Sequence, residues 1–205
     1  VQRADIRDLG LVNLQFFPNL EILSLGQAGK ITDEGLKYVA GLHKLRVIRF
    51  RSLKGLTEAG FAHLKGLTNL EELQLPLVGV RWSAGFGDEA LAHLKGLSKL
   101  RHLDLTSTRV TDASFETLKN FRDLKFLSVR DSQITDAGLV SLKNFPELEE
   151  LRLSGDRQVT DAALVHLKAL PNLKRVVLTS GNITEAGLKI LAGLRLEVLS
   201  RFPRI

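Results

Sequence analysis

ITDAGLVSLKNFPELEELRL, residues 134–153, is the stretch that decides the fold, because altered copies of it recur upstream. VTDASFETLKNFRDLKFLSV (110–129) and ITDEGLKYVAGLHKLRVIRF (31–50) carry the same two-part pattern. Each opens with a short helical segment and closes on an alternating L-x-x-L-x-L strand. Taking the first strand leucine as register gives Leu20, Leu45, Leu70, Leu100, Leu124, Leu148 and Leu173, spaced by 25, 25, 30, 24, 24 and 25 residues. A period of this length marks a solenoid, in which one repeat buries its apolar face only against the next.

Elementary geometry assigns the parts of a repeat. Leu100, Leu103 and Leu105 follow the alternation of a strand with one buried face. Val110 turns inward, and Thr111-Asp112 starts a helix whose first free N–H groups an oxygen side chain can satisfy. Phe115 and Leu118 share the inward face of that helix. Lys119-Asn120 ends it, as Lys65-Gly66 and Lys95-Gly96 do elsewhere, with a cation at the negative end of the dipole. Every strand is followed by one helix and one return, so all strands run parallel in one sheet. Parallel strands lie about 4.8 Å apart and packed helices roughly 8–10 Å apart. The expected architecture is therefore an α/β horseshoe with a concave parallel sheet and convex helices.

The expected organisation is a single domain over residues 1–205. It comprises a half repeat at 6–17, seven repeats across about 18–194 and a capping strand within 195–205. The half repeat has no strand motif before it, so the first strand is expected to have one unpaired edge. The sequence begins at Val1 and contains no Met, which reads as a trimmed or processed part of a larger protein. Between compartments the cytoplasm is favoured, with export left open by that missing start. No cysteine is present, so disulfides and thiolate metal sites are excluded. No run approaches the ~18 apolar residues of a membrane span.

The L-x-x-L-x-L core with its trailing [VI]-T-D-x-G-L resembles the tandem repeats of bacterial leucine-rich repeat proteins, over about residues 6–202. It is also similar to the cysteine-containing subclass found in substrate-recognition subunits of ubiquitin ligases. That subclass has a cysteine where this protein has Thr108, Ser132 or Gly181, so the bacterial type is the better match. The resemblance implies a right-handed horseshoe acting as a binding module, most simply a protein–protein interaction module.

Strand residues between the buried leucines face the concave side. The first such row is Ile22, Val47, Glu72, His102, Phe126, Glu150 and Arg175; the second is Ser24, Arg49, Gln74, Asp104, Ser128, Arg152 and Val177. Packing does not require these side chains, and their variety is what a working surface would show. The third repeat is longer, with an insertion across 77–87 that holds the only tryptophan, Trp82. Insertions in solenoids map to loops, where function often sits. The candidate partner site is therefore Arg49, Arg51, Glu72, Gln74, His102, Asp104, Phe126, Arg130 and Arg152, with Trp82 at its rim.

Other chemistry finds little support. His63, His93 and His166 occupy one repeated helix position in A/V-H-L-K, which is a repeat motif and not a zinc set. No nucleophile elbow, phosphate loop or H-E-x-x-H occurs, so no catalytic residue, metal or cofactor is expected. The net charge of +6 raises a second reading, a basic surface docking on an anionic polymer such as nucleic acid or acidic glycan. Five lysines (65, 95, 119, 143 and 168) sit at helix ends, where the dipole accounts for them. Nucleic-acid binders carry denser basic tracks with stacking aromatics. A protein partner is the expected one.

Overall fold

A computed structural model describes residues 8–25, 31–50, 55–75, 86–154, 158–179, 182–194 and 197–200. Among the described residues eight parallel strands form one open sheet in sequence order: β1 (Ile22–Leu25), β2 (Val47–Phe50), β3 (Glu72–Gln74), β4 (His102–Asp104), β5 (Phe126–Ser128), β6 (Glu150–Ser154), β7 (Arg175–Thr179) and β8 (Glu197–Ser200). Register runs straight across it, Glu72 to His102 to Phe126 to Glu150 to Arg175 to Glu197. The horseshoe has this sheet on its concave side. Among the described residues β1 pairs only with β2.

The convex layer is thinner than full helices would make it. Among the described residues the longest α-helical segment is Asp88–His93, and much of the layer is 3-10 helix, as at Glu58–Leu64 and Asp161–Ala169. A repeat of 24 or 25 residues must fit a strand, two turns and a helix, so only one or two helical turns remain. The narrower 3-10 form suits such short pieces.

The core lies between the two layers. Leu100, Leu103, Leu105, Val110 and Leu118 are fully buried and Phe115 nearly so, as alternation and helical spacing require. Phe61, Phe86, Phe121 and Phe145 are the largest fully buried side chains. Phe86 packs edge-on against Phe61 with ring centroids 4.7 Å apart. The end of the 77–87 segment, at Phe86, is thus packed into the core.

The Thr-Asp pairs do more than start helices. In six places the aspartate of one repeat accepts two hydrogen bonds from the threonine of the next, one from its N–H and one from its hydroxyl. The pairs are Asp8–Thr32, Asp33–Thr57, Asp88–Thr111, Asp112–Thr135, Asp136–Thr160 and Asp161–Thr184. The hydroxyl bonds are 2.6 Å in each pair. In four of these threonines the same oxygen accepts from the helix start, at Ala113, Ala137, Ala162 and Gly187. The motif glycine leaves room for the carboxylate: a Cβ on Gly138 would collide with Asp112.

The spine is interrupted once among the described residues. Glu58 stands in place of the aspartate and Gly87 in place of the following threonine. Glu58 bonds instead to the guanidinium of Arg109, at 3.1 Å. Buried hydroxyls close the turns beyond β4 and β5. Thr108 donates to the Leu105 carbonyl and Ser132 to that of Val129, each at 2.7 Å. Ser107 and Asp131, one repeat apart, take the left-handed conformation there, with φ of 58° and 52°.

Candidate functional site on the concave sheet

Direct register places ring opposite ring on β4 and β5. His102 and Phe126 stack with centroids 3.9 Å apart and planes 3° from parallel. The Arg152 guanidinium carbon lies 4.8 Å from the centre of the Phe126 ring. Because β6 flanks β5 on the side away from β4, Arg152 covers the ring face that His102 leaves open. A cation over an aromatic face is attracted by the ring quadrupole, so three side chains from three repeats form one layered unit.

Ion pairs flank this unit. Arg49 grips Glu72 through Nε at 2.6 Å and Nη2 at 3.1 Å. Arg152 donates Nε to Glu150 at 2.7 Å. Arg175 pairs with Glu197 through Nε at 2.8 Å and Nη2 at 2.7 Å, and its Nη1 lies 3.7 Å from Glu150. Three arginines therefore meet three glutamates across the floor. Burial holds the His102 imidazole below its ordinary pKa, against the pull of Glu72 and Asp104. At neutral pH the ring stacks on Phe126 uncharged.

The comparisons with known proteins agree with this architecture. A leucine-rich repeat family profile matches at residues 18–40, 96–118 and 122–143. The matched segments cover about a third of the sequence. An internalin (InlF) from Listeria monocytogenes superposes on all of it with a TM-score of 0.70 at 22% identity. TLR13, solved in complex with the single-stranded RNA ssRNA13, superposes on 95% of it with a TM-score of 0.62 at 19% identity. At these identities the likeness is one of fold. The sequence spans about half of the internalin, 54%, and about a quarter of TLR13, 26%. No curated protein matches it in sequence.

Within this sheet, Arg49, Glu72, Gln74, His102, Phe126 and Arg152 lie side by side on β2 to β6, each partly exposed. Arg130 follows in the turn after β5, also partly exposed. Asp104 departs from the expectation. It is only 2% exposed, and its Oδ1 accepts from the Thr106 N–H at 3.0 Å and the Thr106 hydroxyl at 2.5 Å. The Thr106 hydroxyl in turn meets that of Ser128 at 2.7 Å. Asp104 thus holds a turn and is withdrawn from any partner. Its short side chain reaches the backbone two residues on, the usual habit of Asp in turns.

Arg51 and Trp82 lie outside the described residues, as does most of the insertion. Glu150 and Arg175 join the site, although sequence reasoning places them only in the first concave row. That row is the signal that points to them, but only the fold shows Glu150 shared between Arg152 and Arg175. Among the described residues no group of three or more His, Asp and Glu could hold a metal, and no helix is long and apolar enough to cross a membrane.

Proposed function

We propose that this protein is a non-enzymatic module that binds a protein partner on the concave sheet, centred on His102, Phe126 and Arg152. Leucine-rich repeat solenoids generally serve as protein-binding scaffolds, their long concave surfaces forming the contact. The observation that carries the reading is the layered His102–Phe126–Arg152 unit. None of the three is needed to fill the core, and together they make a rigid aromatic and guanidinium surface. Such groups concentrate binding energy in protein interfaces.

The net positive charge and the RNA bound by TLR13 favour a second reading, docking on an anionic polymer. The ion pairs weigh against it on this face, because Arg49, Arg152 and Arg175 each have a glutamate partner. A polyanion site needs several cations whose charge is free to displace counterions.

Selection of a displayed random-peptide library on the wild-type protein tests the reading. Selected peptides should lose about 1 kcal/mol or more of affinity on Phe126→Ala and Arg152→Ala, and be unaffected by Lys143→Ala on the convex side. Binders that ignore the concave changes and respond to Lys143→Ala would move the site. A steep loss of binding with added salt would favour the polyanion reading.

A further inference from the structure

We infer that Arg152 is a preset receptor for a single carboxylate, so that the partner presents an exposed Asp or Glu side chain, or its own free C-terminus, to the centre of the concave floor. The inference rests on the concave-face reading above and names the chemistry that face would recognise. It comes from asking which hydrogen-bonding groups on the floor are still unspent. Arg49 gives both Nε and Nη2 to Glu72. Arg175 gives both Nε and Nη2 to Glu197. Asp104 is consumed by Thr106.

Arg152 is different. It spends Nε on Glu150 and its flat face on Phe126, while Nη1 and Nη2 make no hydrogen bond among the described residues. Those two nitrogens form the end of the planar fork, whose spacing matches the two oxygens of a carboxylate. Its side chain is 35% exposed, enough for a ligand to reach.

Two contacts also hold the guanidinium in place before anything binds. An arginine on a bare surface must surrender most of its rotamer freedom to grip a ligand, and that cost is subtracted from affinity. Here Glu150 fixes Nε and the Phe126 ring, backed by His102, fixes the plane. The neighbouring imidazole is held neutral by burial. Its ring nitrogens make no hydrogen bond among the described residues and so remain able to donate or accept beside the bound group. Arg49, Arg152 and Arg175 are each met by a glutamate, so none of the three carries an unbalanced charge. One carboxylate can replace water at Arg152, whereas a string of phosphates gains nothing from its length.

The test is a titration of the folded protein with sodium acetate, against sodium chloride at equal ionic strength, reading the arginine Nε–H signals by NMR. Arg152 should shift saturably with acetate and stay still with chloride, while Arg49 and Arg175 do not move. Phe126→Leu should need several-fold more acetate, because the ring no longer fixes the guanidinium. If Phe126→Leu does not fold, Arg152→Lys supplies the second arm. A lysine has no fork, so the acetate-dependent shifts of the His102 and Phe126 rings should vanish. A still Arg152 signal, parallel shifts of all three arginines, or unchanged acetate dependence in the variant that folds would each overturn the inference. None of these outcomes bears on whether selected peptides map to the concave face, so the two readings fail separately.

Discussion

Two sets of polar side chains tie neighbouring repeats together in this molecule, and they are built on opposite principles. Along the convex edge, the Thr–Asp spine copies one pair of bonds six times, with hydroxyl distances of 2.6 Å throughout. Across the concave floor the contacts vary from repeat to repeat: Arg–Glu ion pairs at Arg49–Glu72 and Arg175–Glu197, a ring stack at His102–Phe126, a guanidinium over a ring at Arg152. The spine answers a need every repeat shares, the satisfaction of free N–H groups at a helix start. The floor answers no shared need. In a solenoid, then, polar repetition marks structure, and polar variety on a face that packing leaves alone marks the place to look for function.

Breaking the frame common to both regions should have the largest effect. Leu127 is fully buried beneath Phe126 on β5, and Leu127→Ala should cost roughly 2–5 kcal/mol in a denaturant titration. The loss should reach adjoining repeats, because each is stabilised by its neighbours. An unchanged unfolding midpoint would mean that the core does not run through Leu127.

The contrast itself is tested by a pair of changes. Thr135→Val removes a hydroxyl that donates to Asp112 and accepts from Ala137. It should cost about 1–2 kcal/mol, as lost caps do. Arg152→Ala, on the floor, should cost about 1 kcal/mol or less, as expected for a partly exposed ion pair. Equal losses from the two would erase the distinction drawn between spine and floor.

The interruption at Glu58 and Gly87 allows the spine to be repaired. Gly87 is extended, with φ of −137°, so a threonine can adopt its backbone. A Cβ there would meet Glu58 Oε1 at 2.5 Å. Gly87→Thr alone should therefore push the Glu58 carboxylate aside, disturb its contact with Arg109 and gain no stability. Combined with Glu58→Asp it should form a seventh pair and stabilise by about 0.5–1 kcal/mol, the net worth of a hydrogen bond. A double variant no more stable than the single one would show that the long third repeat needs the Glu58–Arg109 contact instead.

The smallest effect concerns charge. Hydrogen bonds from Lys174 and Lys125 lower the Glu149 carboxyl to about 2. A carboxylate lowered on folding lends stability above its unfolded pKa, and that share is lost as pH falls through the folded value. Glu149 should therefore contribute fully above about 4.5 and lose its contribution down to about 2. Glu149→Gln should flatten that part of an acid titration and lower neutral-pH stability by the same small amount, since exposed pairs contribute little. An identical acid limb in the variant would remove Glu149 from the account.

Much of this is legible in one dimension. The leucine register, the inward Val110 and the first concave row all follow from alternation and period, and the sheet pairs those residues as the spacing requires. Asp104 escapes such a reading for a physical reason. Alternation tells which face a side chain leaves from, but not whether it folds back onto its own turn, as Asp104 does onto Thr106. The Thr-Asp motif is visible as a helix start, yet its bond to the repeat before it is not. A local pattern reports contacts within a few residues, and Asp112 and Thr135 are separated by 23.

Order along the sequence is thus enough to dictate the period, the parallel strands and the buried leucines. Each is a consequence of apolar spacing acting on a backbone with few allowed shapes. Which charges cancel, which ring lies on which, and which arginine keeps two donors unspent are decided only when the strands come together. Those contacts join residues a whole repeat apart, and their outcome depends on distances of a few tenths of an ångström. Glu150 shows the division most plainly. The strand pattern alone puts it on the concave face two residues from Arg152, and only the packing of β7 beside β6 also brings Arg175 to it.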